Sequence, residues 1–286
     1  MVRYIVFIGV ALIAFATGAT AQRQPFSMLD NRPYDPERDP DIDMYMGSWT
    51  EAMPRHSHGC LVERDILTTG DPKNPVQRGA VLTCVEVFAY ATLQPGETTV
   101  PTEPDGVQEI FYVLSGEGRV QSAKTETDLY PGIGVLVPEG VEFTITASGG
   151  TELAMYYLVE KCPDGFSPQP DIVFRDENAA SWNEGNPHWV GLSKPLFSAN
   201  NGLATIGNII TVRFDPMTFF QPHSHSEGQE EVWTTIYGDA YFLLGKEIRR
   251  QPPGTAYLVP PTGITAHSNF NVSESMIKFF YFATLN

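Results

Sequence analysis

The reading of this chain turns on one stretch: Pro222-His223-Ser224-His225-Ser226-Glu227-Gly228-Gln229-Glu230-Glu231-Val232-Trp233-Thr234-Thr235-Ile236-Tyr237-Gly238. Its first half is polar and carries two histidines two residues apart. Its second half opens on an acid, continues in β-branched and aromatic residues and stops at a glycine, as a strand ending in a turn does. That second half has an earlier counterpart, Glu109-Ile110-Phe111-Tyr112-Val113-Leu114-Ser115-Gly116. Each landmark recurs 122 residues on, from Glu109 to Glu231 and from Gly116 to Gly238; Pro131-Gly132 and Pro138 recur as Pro253-Gly254 and Pro260. Several landmarks at one offset mark two copies of one structural unit.

Outward from this pair the chain reads as all-β. Runs such as Val81–Tyr90, Leu153–Val159, Ala204–Phe214 and Met276–Ala283 are strand-like and separated by Gly and Pro, and no long segment carries a helical period. The expected organisation is a signal segment at 1–21, an extended arm at 22–60, a first β unit at 61–161, a Pro-, Asp- and Asn-rich connection at 162–198, and a second β unit at 199–286. Each unit has the size and strand spacing of a jelly-roll barrel. Arg3, the apolar run from Tyr4 to Phe15, and Ala19-Thr20-Ala21 form a secretory signal pattern, which predicts a periplasmic or secreted protein with no membrane association after cleavage.

The 34 acidic residues outweigh the 18 basic ones and give a formal charge of −16, which repels phosphate backbones and argues against nucleic acid as a partner. Three cysteines follow the signal. Cys84, inside an apolar run, is expected in the core; Cys60 and Cys162 flank the first unit, and spacing leaves open whether they are bridged.

Chemistry concentrates in the second unit. His223 and His225 point the same way if they lie on a strand, since side chains alternate between faces. With a carboxylate from Glu230 or Glu231 and the imidazole of His267, they form a set suited to Zn, Mn, Fe, Ni or Cu. These residues resemble the cupin superfamily, whose first motif reads G-x5-H-x-H-x(3,4)-E-x6-G and whose second reads G-x5-P-x-G-x2-H-x3-N. His223, His225, Glu231 and Gly238 follow the first; Gly254, Pro260, Gly263, His267 and Asn271 follow the second. The resemblance covers roughly residues 79–286 in two copies. It implies two tandem cupin barrels behind an N-terminal arm, and one divalent transition metal ion bound by His223, His225, Glu231 and His267.

Three departures stand out. Met217 replaces the first motif's opening glycine, the gap from His225 to Glu231 is one residue longer, and the stretch to His267 is also extended. Glu231 is preferred over Glu230 for its distance to Gly238 and its match to Glu109. The first copy has Pro101 and Glu103 where the second has His223 and His225, and Phe143 at the third histidine position, so only Glu109 of the set survives. That copy is expected to be structural.

Other residues are read with less force. Trp233, two residues after Glu231, shares its face and is expected to line the pocket, with Arg213 and Tyr241 as further pocket candidates; core packing is the default for Phe279. His188 and Trp189 precede the second unit. His56-Ser57-His58-Gly59-Cys60 has metal-like spacing but no evident fourth partner, and a surface or inter-subunit role is expected. Functionally, the resemblance points to a metal-dependent enzyme acting on a small oxygenated organic substrate, with dioxygenase or oxalate-type oxidoreductase chemistry in front and Glu231 orienting or deprotonating the substrate. A sugar or organic-acid isomerase or lyase, or a non-catalytic small-ligand binder, stays open, as does a homodimer.

The signal reading has a direct check. Mass spectrometry of the protein recovered from the exported fraction is expected to show Gln22 as the first residue; a chain retaining Met1 or starting elsewhere contradicts it.

Overall fold

The computed structural model describes residues 33–36, 38–183 and 191–284. The signal segment, most of the arm before Pro33, and His188 and Trp189 lie outside the described residues. The arm contributes two short strands, β1 (Met46–Ser48) and β2 (Arg55–Ser57). The first unit supplies β3 (Leu61–Thr69), β4 (Ala80–Leu82), β5 (Val85–Leu93), β6 (Val107–Ser115), β7 (Gly118–Ser122), β8 (Glu126–Leu129), β9 (Ile133–Val137), β10 (Phe143–Ala147) and β11 (Leu153–Lys161). The connection holds β12 (Val173–Asp176) and β13 (Gly191–Ser198). The second unit supplies β14 (Ile206–Phe214), β15 (Thr218–Phe219), β16 (Glu231–Tyr237), β17 (Ala240–Leu244), β18 (Glu247–Gln251), β19 (Thr255–Val259), β20 (His267–Asn271) and β21 (Ile277–Thr284).

The sequence repeat is a repeat of topology. The large sheet of the first unit runs β12-β9-β6-β11-β5-β3-β2, with β4 beside β3; that of the second runs β1-β19-β16-β21-β14-β13. The small sheets are β10-β7-β8 and β15-β20-β17-β18. The strands bearing the repeated acids, β6 and β16, hold matching central places, and the fold is the expected all-β pair of jelly-roll units. The repeated glycines explain themselves. Gly116 and Gly238 have φ of 83° and 91°, and a Cβ there would lie 2.3 Å from Glu152 O and from Ile277 Cγ2 respectively.

The arm and the connection are less separate than their composition suggests. β13 is an edge strand of the second unit's large sheet, and β12 is an edge strand of the first's. β1 crosses to the second unit, pairing Met46 with Tyr257, and with the 3-10 turn before it (Ile42–Tyr45) buries Ile42, Tyr45 and Met46. Each large sheet therefore ends on a strand borrowed from outside its repeat, which covers an otherwise open edge.

The two units pack through the outer faces of their large sheets. Successive residues of β11 part company: Tyr157 turns into the first barrel against Phe111, while Tyr156 turns out and donates to Thr235 O at 3.0 Å. Phe88 meets Phe280 and Phe282, with ring centroids 6.0 and 5.3 Å apart, and Phe280 also meets Tyr112 and Tyr156. Both faces of these strands are buried, which is why they read as continuous apolar runs and not as alternating ones. A carboxylate rivets the joint. Glu160, fully buried, accepts from the backbone N–H of Ala204, Thr205 and Ile206 at 3.1, 2.6 and 2.6 Å.

Two cysteine expectations need correcting or completing. Cys84 is half-buried, because the run Val81–Ala89 is broken at Thr83-Cys84 between β4 and β5. Cys60 and Cys162 are free thiols: Cys60 Sγ donates to Thr98 O, while Cys162 follows β11 and pairs its N–H with Gly106 O. Burial, with Glu139 and Glu160 nearby, pushes the Cys162 thiol up to about 12.

Glu160→Ala leaves three N–H groups, that of Ile206 buried and two part-buried, without their acceptor and is expected to cost about 3 kcal/mol. In urea melts this appears as a lower midpoint at unchanged slope; a midpoint equal to that of the parent contradicts the rivet.

Candidate metal centre

The four residues named from the motif meet inside the second unit. His223 and His267 form a directly opposed antiparallel pair: His223 N–H donates to His267 O at 3.2 Å and His267 N–H to His223 O at 2.8 Å. Opposed residues carry their side chains on one face, so the two imidazoles lie side by side with ring centroids 4.4 Å apart. The extra residues before His267 are taken up in a turn, where Gly263 has φ of 78° and Thr262 Oγ1 meets Thr265 Oγ1 at 2.8 Å, so the register of His267 is kept. Met217, standing where the motif has glycine, adopts φ of 57°, the left-handed backbone a glycine would take without strain.

The donor atoms converge. His267 Nε2 lies 3.2 Å from His223 Nε2 and 2.9 Å from His225 Nε2. Glu231 Oε2 is 2.8 Å from His225 Nε2, and Glu231 Oε1 is 3.3 Å from His267 Nε2. All three imidazoles place a ligating nitrogen within 4.8 Å of one another. Atoms about 2.1 Å from one ion and at right angles about it lie about 3.0 Å apart, so this spacing is that of neighbouring ligands. Glu230 points the other way: its carboxylate accepts from Thr83 N at 3.2 Å and from the Thr83 hydroxyl, across the joint. Of the two adjacent acids, Glu231 therefore belongs to the site.

Surrounding groups set the protonation. His223 Nδ1 meets Gln221 O at 2.9 Å, which places its proton on Nδ1 and leaves Nε2 as the ligating atom. Tyr257 donates to Asn269 Oδ1 at 2.7 Å, and its oxygen faces His267 Nδ1 at 3.4 Å, giving the same tautomer there. Glu231 Oε1 accepts from Trp233 Nε1–H, and Oε2 from the Tyr281 hydroxyl at 3.0 Å. Burial acts to raise the Glu231 pKa, but His267, His225 and the Trp233 N–H outweigh it and hold the carboxyl well below the usual range. Burial pushes His223 down, towards the neutral imidazole. Three imidazole nitrogens and one buried carboxylate at this spacing offer neighbouring ligand atoms to a divalent cation. The donor set fits a transition metal ion and does not select one.

Exposure gives the site a direction. His267 and Glu231 form the floor, at 0% and 1% exposure, with Tyr281 buried beside them, while His223 and His225 are only partly buried. Trp233 lies where the alternation places it, beside Glu231. Arg213 and Tyr241 do not join it. Arg213 pairs Nε with Asp215 at 3.1 Å and stacks over Trp182, because its turn in the β14 alternation falls on the outer face. Tyr241 lies opposite the inward series Ala240, Phe242 and Leu244, between Phe270 and Arg250 on neighbouring strands. Phe279 packs in the core against Trp233 and Phe214. Tyr281 and Tyr257 were missed from sequence. The repeat held a clue to the first: Glu109 opposes Val159 and Glu231 opposes Ala283, each two residues beyond a tyrosine, Tyr157 or Tyr281.

Removing a group that holds a ligand tests this arrangement without removing the ligand. Trp233→Phe and Tyr281→Phe are each expected to weaken metal affinity about tenfold or more, read by competition with a chelating dye. Parent-like affinity in both would mean that Glu231 needs no support.

Comparison with known proteins agrees with the fold. The Cupin domain family matches residues 89–159, which is the first, metal-poor copy. No curated protein sequence matches the chain. Among solved structures, the chain is similar to a mutant of Bacillus subtilis oxalate decarboxylase OxdC at 14% identity and TM-score 0.63, over 88% of this chain and 84% of that one. It is similar to the formate complex of Lactobacillus farciminis oxalate decarboxylase at 13% identity and TM-score 0.63, over 85% and 86%. It is also similar to AerE from Microcystis aeruginosa at 12% identity and TM-score 0.63, over 85% of this chain and 100% of that one. At such identities the likeness concerns the fold. The Cupin domain match over residues 89–159 and the shared fold make the chain similar to cupins, in keeping with its two motifs and repeated topology.

Proposed function

We propose that this protein is an exported, metal-dependent cupin enzyme acting on a small oxygenated organic substrate at its second barrel. The observation that carries the proposal is the convergence of His223, His225, His267 and Glu231 on one point, with two of the three histidines on the solvent side. A bound ion would supply Lewis-acid polarisation or one-electron oxygen chemistry, according to its identity.

The chain's own groups prepare that chemistry. Gln221 O and the Tyr257 hydroxyl hold protons on the far ring nitrogens, so that Nε2 of His223 and His267 face the centre. The buried floor keeps bulk water out. Glu231, held ionised between Trp233 and Tyr281, is the carboxylate that orients the substrate, and Oε2 is the atom next to the Tyr281 hydroxyl. Within this reading, oxygen chemistry on a neutral or aromatic substrate is favoured over oxalate-type chemistry. A dianion calls for a cation near the ion, and Arg213, the sequence's candidate, is engaged by Asp215 and Trp182.

The test combines metal and turnover. Purified protein loaded in turn with Fe, Mn, Cu, Ni and Zn is offered phenolic, enolic and small carboxylic substrates, with oxygen uptake and product followed together. Turnover with one metal, lost by about 100-fold or more in His223→Ala and Glu231→Gln, is the expected result. Ligand-dependent thermal stabilisation with no product from any metal form would identify a binding protein instead.

A further inference from the structure

The first barrel has lost its histidines but kept its acid, and a buried carboxylate is costly without a counter-charge. Glu109 is 6% exposed. The positions around it follow from strand pairing. Tyr157 stands where Tyr281 stands in the second barrel, and Phe143 begins β10 as His267 begins β20. No imidazole of the repeat itself reaches Glu109 among the described residues.

An imidazole arrives from outside the repeat. His58, expected at the surface, is in the turn between β2 and β3, and its side chain is only 5% exposed. Its Nε2 lies 3.0 Å from Glu109 Oε2. The ring packs against Phe143 and Tyr157 with centroids 5.7 and 6.0 Å away. His56 and Cys60 do not follow it: His56 is exposed, and the Cys60 thiol is engaged by Thr98 O. The turn holds His58 at φ of 48°, a left-handed backbone that costs a non-glycine residue energy and persists where surrounding contacts enforce it. One such contact is Val100 N–H on His58 O, at 2.9 Å.

The hydrogens can be counted. With Glu63 ionised beside Arg55, the Ser57 hydroxyl donates its one proton to Glu63, and its oxygen is the acceptor for His58 Nδ1, 2.6 Å away. Glu109 can only accept when ionised, so Nε2 must also donate. Both ring nitrogens then carry hydrogen. We propose that protonated His58 is the resident cation of the first barrel, taking beside Glu109 the place a metal ion takes beside Glu231, so that this barrel is closed to metal and the chain carries a single metal site.

The charged and titratable groups facing the ring are Glu109 on β6, Glu63 on β3, Arg55 on β2 and Tyr157 on β11; β10 offers only Phe143. Burial acts to lower the His58 pKa, but the hydrogen bond and charge of Glu109, with Glu63, outweigh it and the opposing Arg55 and raise it. A raised folded-state pKa means that the pair's stabilisation is present in full below about pH 6.5, the unfolded value, and is lost as pH rises through the folded value.

Three measurements test this on the full mature chain. In nitrogen-15 NMR of the metal-loaded protein, with His58 assigned by its loss in His58→Gln, both ring nitrogens are expected to be protonated at about pH 6.5, with a midpoint above that of free histidine. Metal titration is expected to saturate at one equivalent, unchanged in His58→Gln. His58→Gly is expected to melt lower than the parent and to be restored by millimolar imidazole, whereas the double variant with Glu109→Gln is not restored. A single-tautomer neutral ring at that pH, or a second equivalent of metal lost with His58, overturns the proposal. Where His58→Gly does not fold, the spectra and the metal count on the parent still decide.

Discussion

A buried carboxylate that must meet a positive charge organises this protein. Glu231 has almost no exposure and is gripped by an indole N–H and a phenol, yet those neutral donors do not cancel its charge. Three imidazole nitrogens lie within ligand spacing of it and form a candidate cation site. The local structure serves that meeting. The His223–His267 backbone pair fixes two rings on one face, and the glycine turn after β16 lets β21 bring Tyr281 alongside.

The same constraint recurs in the first barrel with a different solution. Glu109 holds the matching place, but Phe143 fills the position of one ligand, and a histidine from the arm takes up the charge. The two barrels share a scaffold and an acid, and they differ in where the positive charge comes from. This makes one barrel a candidate centre for chemistry and the other a closed support. The support is firmly attached: aromatic rings from both large sheets interlock, and Glu160 and Glu230 each reach across to hydrogen-bond groups in the partner unit.

How far the sequence could be read depended on the range of the interaction. The fold was legible because the strand runs, turn glycines and 122-residue repeat are local or periodic features, and pairing had only to follow them. The choice of Glu231 over Glu230 was legible for a similar reason: with side chains alternating along a strand, the spacing to Gly238 determines which acid faces inward. Met217 shows the limit of a motif. The residue departs from glycine, while the backbone keeps glycine's conformation, so the turn survives.

What the sequence by itself determined was the architecture, the candidate ligand residues and the loss of their histidines from the first copy. What only the tertiary structure decided were the long-range partners. Arg213 and Tyr241 face outward because register, not residue type, assigns the face. The connection and the arm become edge strands because open sheet edges recruit whatever backbone is near. His58 meets Glu109 from 51 positions away, at a turn whose polar sequence looks like surface. Such meetings leave no period or spacing in the chain; they follow from the need of a buried charge for a partner, which only the folded arrangement can meet.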